Sequence, residues 1–231
     1  VDSNRYHLYF SIGERGRGDN SQKLNLPNGK IHRVWDDGQI PADNPFVSTA
    51  GAYPSIYSFG HRNPQGLVLD SAGNLWDTEH GPRGGDEVNL VLKGRNYGWP
   101  LVAFAINYNG APQWTPWMDP EKEQSLPGGP VVMPAAIWLP SVGACGLDLI
   151  RGPAFPMWNG DLIAGGLSGA NVDRFRFKVT GTGDGAVGEL VEHEELLKGM
   201  GRVRDTAVGP DGMIYVVLND PDTVIRLVPV K

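Results

Sequence analysis

Two glycine-bounded runs carry most of the residues whose types could do chemistry. Gly60-His61-Arg62-Asn63-Pro64-Gln65-Gly66 sets a guanidinium beside two amides, and Glu79-His80-Gly81-Pro82-Arg83-Gly84-Gly85-Asp86-Glu87 sets carboxylates among glycines. Glycine lets backbone carbonyls and amides come close to a ligand, and Asp86 and Glu87 supply the hard oxygen atoms that Ca²⁺ prefers. Arginine with amides on one loop, and carbonyls with carboxylates on the next, suit a small anionic ligand clamped through a divalent cation. The same residues would also serve as two hairpin turns carrying a solvated charge cluster, so residue types alone leave both readings open.

Strands must deliver these runs. Leu67-Val68-Leu69 leaves the first as an alternating strand, Asn74-Leu75-Trp76 leads into the second, and Val88-Asn89-Leu90-Val91-Leu92 leaves it, so the two polar turns flank one hairpin. A shared cadence, in which a turn hands over to a short strand that opens apolar or aromatic, runs through the chain. It occurs at Asp2-Ser3-Asn4-Arg5-Tyr6-His7-Leu8-Tyr9-Phe10, Asp70-Ser71-Ala72-Gly73-Asn74-Leu75-Trp76, Trp158-Asn159-Gly160-Asp161-Leu162-Ile163 and Pro210-Asp211-Gly212-Met213-Ile214-Tyr215. Asp or Asn tolerates the left-handed backbone and Gly supplies it without strain, which is why Asx-Gly pairs mark these turns. Strands repeating at this interval without helices between them read as propeller blades, and four recurrences predict about four blades.

Bulk properties agree with an all-β chain. With 32 glycines and 19 prolines among 231 residues and no sustained helical period, turns dominate. A net charge of −6 offers no basic stripe for phosphates and argues against nucleic acid. The lone cysteine, Cys145, excludes an internal disulfide or a Cys-based zinc site and reads as a small buried hydrophobe. No apolar run approaches the length of a membrane-spanning helix. The start, Val1-Asp2-Ser3-Asn4, is expected to belong to a processed or truncated piece without a signal peptide. Nucleophile-elbow, zinc-helix, Walker and dinucleotide signatures are absent from the sequence.

The wording of GHRNPQGL, EHGPRGGDEVNL and GRNYGWP resembles the soluble pyrroloquinoline quinone (PQQ)-dependent aldose sugar dehydrogenases, the glucose/sorbosone dehydrogenase family of six-bladed β-propellers. Leu8-Tyr9-Phe10-Ser11-Ile12-Gly13-Glu14-Arg15-Gly16, Pro41-Ala42-Asp43-Asn44-Pro45-Phe46, Arg202-Val203-Arg204-Asp205 and Gly209-Pro210-Asp211-Gly212 continue the likeness. The resemblance implies a single partial propeller domain over residues 1–231. It also implies PQQ and Ca²⁺ as cofactors, an aldose as substrate, an external electron acceptor, and a periplasmic or secreted location. The reaction implied is oxidation of the aldose at C1 to the aldonolactone.

Residue by residue, the resemblance places Arg62 against the quinone oxygen with Asn63 beside it, and His80 next to the cofactor. It gives the backbone carbonyls of Gly81 and Pro82 to the cofactor's Ca²⁺. Glu87 and the Tyr97 carbonyl go to a second, structural Ca²⁺ site, and Asp86 becomes a carboxylate of the substrate pocket. Arg202 and Arg204, two apart on an extended strand and so facing one way, match the arginines that grip PQQ carboxylates; Trp138 and Ser141 match residues lining the pocket. Trp114 and Trp117, in the Pro-rich stretch from Tyr108 to Pro134, could stack on a sugar ring or pin their own loop.

Two departures bear on activity. The family's catalytic His is expected ahead of Val1, so Glu14, which matches the carboxylate that orients it, stands without it, and His7 reads as a strand residue. A lysine expected after Leu162-Ile163-Ala164-Gly165-Gly166 is Ser168 here. A six-bladed relative needs roughly 300 residues, so about two blades are expected to be missing on the N-terminal side. Open strand edges would then invite pairing between molecules. The alternatives are a non-catalytic propeller that binds protein or glycan, and a calcium-dependent lactonase, which needs carboxylates and Ca²⁺ but no quinone.

Overall fold

The computed structural model describes residues 5–110 and 126–230, so Trp114 and Trp117 lie outside the described residues. Contacts divide the chain into two compact units. The first comprises Val1–Pro64, Val91–Met133 and Gly183–Gly185, and the second Gln65–Leu90, Pro134–Thr182 and Ala186–Lys231.

The first unit is built on an antiparallel sheet of β1 (His7–Ile12), β2 (Lys30–Trp35) and β3 (Ile56–Phe59). Ile31, Ile56 and Phe59 are fully buried, and Phe46 packs edge-on to Phe59 at 5.7 Å. The Pro41–Phe46 segment is held by a buried polar knot. Arg33 Nε donates to Asn44 Oδ1 (2.8 Å), and Asn44 Nδ2 donates to the carbonyls of Arg33 and Pro54 (2.9 Å each). Arg33, with help from Lys93, pulls the Asp43 carboxyl down to about 2. Lys30 is wholly buried on β2 and donates to the carbonyls of Asn20, Ser21 and Asn28 at 2.9, 2.9 and 2.7 Å. Burial draws its pKa down to about 7, while three carbonyl acceptors favour the ammonium. The ammonium thereby anchors the short 3₁₀ segment Gly18–Gln22.

The second unit holds three antiparallel sheets. One is β4 (Pro64–Leu69), β5 (Leu75–Glu79), β6 (Asp86–Val91) and β7 (Ala136–Trp138) in sequence order. Another contains β8 (Ala144–Leu149), β9 (Leu162–Gly166), β10 (Asn171–Thr180) and β11 (Val187–Leu196), and the last β12 (Arg202–Val208), β13 (Ile214–Asn219) and β14 (Thr223–Leu227). Cys145, Ile150, Ile163, Val172, Val203, Ile214, Val216 and Leu218 form one buried cluster. Cys145 Sγ donates to the Val203 carbonyl, and burial pushes its thiol up to about 12, so it is the inert hydrophobe expected.

The four recurrent segments fall on β1, β5, β9 and β13, one in each of the four sheets. Their turns close as anticipated: Asp70 caps the β4–β5 turn by accepting from Ala72 N, Asn74 N and Asn74 Nδ2 (2.8–2.9 Å) and from Trp76 Nε1 at 3.1 Å. Strand limits differ from the sequence expectation. β5 runs through Glu79 and β6 begins at Asp86, so the polar turn shrinks to residues 80–85 and Glu79, Asp86 and Glu87 sit on strands. Acidic residues look like turn formers in sequence; here ladder pairing of the backbone and burial of their carboxylates keep them in the sheet.

Candidate functional site

In the first unit the residues after β1 and β3 meet. Glu14 N donates to the Arg62 carbonyl (2.9 Å), and Asn63 Oδ1 lies so close to Gly13 that a Cβ there would displace the Asn63 side chain. The Glu14 side chain is 9% exposed, and its Oε2 is buried with no hydrogen-bond partner among the described residues. The Arg62 guanidinium lies over the Trp99 ring at 5.4 Å. Tyr97 is buried; its ring stacks on His61 at 4.4 Å and its hydroxyl accepts from Leu92 N at 2.6 Å. Thus Glu14, Arg62 and Asn63, far apart in sequence, are neighbours.

In the second unit the turn between β5 and β6 is cast around Asp86, which is 1% exposed. Its Oδ1 accepts from Gly81 N (2.8 Å) and Ser141 Oγ (2.7 Å), and its Oδ2 from Val142 N (3.1 Å) and Ala144 N (2.9 Å). Ser141 Oγ accepts in turn from Gly84 N (2.9 Å), the Trp138 carbonyl accepts from Gly85 N (2.9 Å), and His80 Nε2 meets the Ala144 carbonyl at 2.7 Å. At Gly81 a Cβ would collide with the carbonyls of Gly84 and Gly85, so residues 81–85 fold into a cradle of backbone that no side chain could fill. Pro82 is buried and Arg83 exposed. Gly81, Pro82, Asp86, His80, Ser141 and the Trp138 backbone therefore come together around one turn. The Trp138 indole points elsewhere, donating to Asp173 Oδ2 at 2.9 Å from a buried position.

Glu87 belongs to a carboxylate cluster that the sequence reading missed. Asn89 Nδ2 donates to Glu79 Oε1 (3.2 Å) and Glu87 Oε2 (3.3 Å), and Asn89 Oδ1 is buried without a hydrogen-bond partner among the described residues. Burial, and then the charge of Glu79, hold both Asp77 and Glu87 well above the usual carboxylate range. Several buried carboxylates repel one another unless protonated or bridged by a cation, and an all-oxygen donor set suits Ca²⁺. The overlooked signal was the i, i+2 spacing of Asp77 and Glu79 in a strand that opens with Leu75-Trp76, which puts both carboxylates on one face.

Arg202 and Arg204 are both exposed and flank buried Val203, but a register shift between Val203 and Asp205 puts a bulge at Arg204, which interrupts the simple alternation expected to set both on one face. Arg204 Nη2 donates to Asn219 Oδ1 at 2.5 Å. Ser168 sits on a turn fastened by its own N–H and that of Gly169 to the Val142 carbonyl (2.7 and 3.0 Å). A second polar network outside the sequence expectation joins Asp173 to His193 Nε2 (2.7 Å), Asn171 Nδ2 (2.6 Å) and Trp138. Its members are scattered over three strands, and only the fold assembles them.

With this geometry in view, comparison with known proteins is decisive: the Glucose / Sorbosone dehydrogenase family matches residues 1–227. The chain belongs to that family. It is similar to the aldose sugar dehydrogenase YliI of Escherichia coli, 37% identical over 93% of this chain and 54% of the relative. Among solved structures it is similar to a glucose dehydrogenase (TM-score 0.81, 37% identity), covering 97% of this chain and 61% of that one. A PQQ-bound aldose sugar dehydrogenase from Streptomyces coelicolor matches with a TM-score of 0.66 and 26% identity, covering 95% of this chain and 57% of its own. The chain thus spans between about half and three-fifths of the length of these dehydrogenases. Its all-β architecture of four antiparallel sheets is the blade construction of the PQQ sugar dehydrogenase propellers. No helix among the described residues is long and apolar enough to cross a membrane.

Proposed function

We propose that this chain supplies cofactor-binding parts of a PQQ- and Ca²⁺-dependent dehydrogenase that oxidises an aldose at C1 to the aldonolactone and delivers the electrons to an external acceptor, in the periplasm or outside the cell. The observation that carries the proposal is Glu14 Oε2, buried with no hydrogen-bond partner among the described residues, on a segment whose backbone bonds to that of Arg62. A carboxylate oxygen removed from water without a donor is costly, and a donor supplied from outside the described residues would relieve it. The natural donor is the imidazole of a base that Glu14 orients, the role its family resemblance implies.

When bound, PQQ supplies a quinone able to take two electrons from the sugar. Arg62 would hold positive charge against that quinone oxygen, with Asn63 beside it. The glycine cradle offers the carbonyls of Gly81 and Pro82 to the cofactor's Ca²⁺, with His80 and Ser141 lining it, while Arg202 and Arg204 hold carboxylates. Within the second unit Glu87 would hold a structural cation, at a site to which we add Asp77 and Glu79. Asp86 is reassigned: its carboxylate is committed to four donors, so it holds the turn in place of touching substrate. Trp138 likewise acts through its backbone at the turn, its indole being bound to Asp173.

The test is equilibrium PQQ binding to this polypeptide, followed by absorbance in Ca²⁺ and again in chelator. Calcium-dependent binding that weakens in Arg202→Ala supports the proposal; a folded chain that binds no PQQ overturns it.

A further inference from the structure

Trp99 is the last residue but one of the GRNYGWP run, and none of the roles above uses it. We infer that Trp99 is a positioning residue that fixes the Arg62 guanidinium by offering it an indole face. The inference rests on the reading of Arg62 as the group that meets the cofactor.

The backbone around Arg62 is fastened on every side. Gly60 N donates to the Ser21 carbonyl (3.0 Å), His61 N to the Gly29 carbonyl (3.2 Å), Ser21 Oγ to the His61 carbonyl (2.6 Å), and Glu14 N to the Arg62 carbonyl (2.9 Å). Beyond that backbone the long side chain must also be oriented, because an arginine carries considerable rotamer freedom. The indole 5.4 Å from the guanidinium centre removes it by cation–π attraction.

The indole can serve as a shelf because it is itself fixed. Trp99 N donates to the Gly60 carbonyl (2.8 Å), and its carbonyl accepts from Gln22 Nε2 (2.7 Å). Gln22 and Asn96 exchange amide hydrogen bonds at 3.0 and 2.8 Å, and Asn96 Oδ1 also accepts from Gly98 N at 3.0 Å. The indole edge lies against Gly18, where a Cβ would come within 3.2 Å of Trp99 Nε1, so the 3₁₀ segment Gly18–Gln22 buttresses the ring. Lys30 holds that segment through the carbonyls of Asn20 and Ser21. A chain of anchors therefore runs from the Lys30 ammonium to the Arg62 guanidinium, and Trp99 is its last link.

The experiment uses the 231-residue chain with Ca²⁺ and compares wild type, Trp99→Phe, Trp99→Leu, Arg62→Ala and the Trp99→Leu/Arg62→Ala double variant. Without PQQ, the Arg62 side-chain protons should show an upfield ring-current shift in NMR spectra that persists, smaller, in Trp99→Phe and vanishes in Trp99→Leu. With PQQ, Trp99→Leu should weaken binding about fivefold, Trp99→Phe should restore most of it, and the double variant should bind no more weakly than Arg62→Ala. A Trp99→Leu effect that adds in full to that of Arg62→Ala, or no Trp99→Leu effect where Arg62→Ala has one, overturns the positioning role and leaves the reading of Arg62 standing. Wild-type affinity in Arg62→Ala, or no PQQ binding by the folded wild type, overturns that reading and the inference with it.

Discussion

The two units use buried carboxylates in opposite ways. In the first, the backbone around Glu14, Arg62 and Asn63 is fastened, while Glu14 Oε2 is buried with no hydrogen-bond partner among the described residues. In the second, side chains are consumed in holding the backbone. Asp86 accepts four hydrogen bonds so that the Gly81–Gly85 cradle, whose working atoms are carbonyls, keeps its shape. A buried carboxylate is thus a tool in one unit and a scaffold in the other, and replacing each separates the two.

The largest effect is expected at the scaffold. Asp86→Ala strips Gly81 N, Ser141 Oγ, Val142 N and Ala144 N of their acceptor, and at 1–3 kcal/mol for each buried donor left unmade, partly relieved by relaxation, the loss should be about 4 kcal/mol. Chemical denaturation of wild type and variant measures it. A loss below about 1 kcal/mol would mean that the turn does not depend on Asp86 and would erase the contrast.

That contrast also marks what the sequence could disclose. Asx-Gly turns and short alternating strands announce the sheets because turn chemistry is local: the four recurrent segments each land in a different sheet. Glu14, Arg62 and Asn63 are polar residues in glycine-rich text, and their types already suggest a ligand. The role of Asp86 could not be read this way, because three of its four donors lie at residues 141–144, more than 50 positions away. The Asp77, Glu79, Glu87 and Asn89 cluster stayed hidden for a related reason. Its members look like a solvated charge run until strand pairing turns them inward.

The next effect belongs to that cluster. Because Asp77 and Glu87 have raised pKa values in the folded chain, the folded state binds more protons than the unfolded state above the ordinary carboxylate range. Their contribution is full below pH about 4 and is lost as pH rises through the folded values. In chelator, the melting temperature should therefore fall between pH 5 and pH 8 more steeply for wild type than for Asp77→Asn. At pH 8, Ca²⁺ at a hundredfold excess over its Kd should restore about 2.7 kcal/mol. Equal slopes in the two proteins, or no response to Ca²⁺, would remove the cation from this unit.

A smaller change is expected at the tool-like carboxylate. Glu14→Gln keeps the shape and removes a buried charge whose Oε2 has no partner among the described residues, so folding stability should shift by less than about 1 kcal/mol and in the stabilising direction. A loss comparable with that of Asp86→Ala would make Glu14 a scaffold residue too, and the two units would no longer differ in kind.

The smallest effect on folding, and the sharpest dissociation of stability from binding, is expected at Arg202. It is exposed on β12, so Arg202→Ala should change stability by no more than about 0.5 kcal/mol. Against a PQQ carboxylate the same guanidinium would make a charge-assisted hydrogen bond worth about 1.5–3 kcal/mol, and its loss should weaken PQQ roughly 10- to 100-fold. Titration with PQQ beside a denaturation curve reads both quantities from one preparation. Tight binding by a variant of unchanged stability would assign Arg202 to solvent alone, and the second unit would then hold its ligand by backbone and cation without help from a side-chain charge at that position.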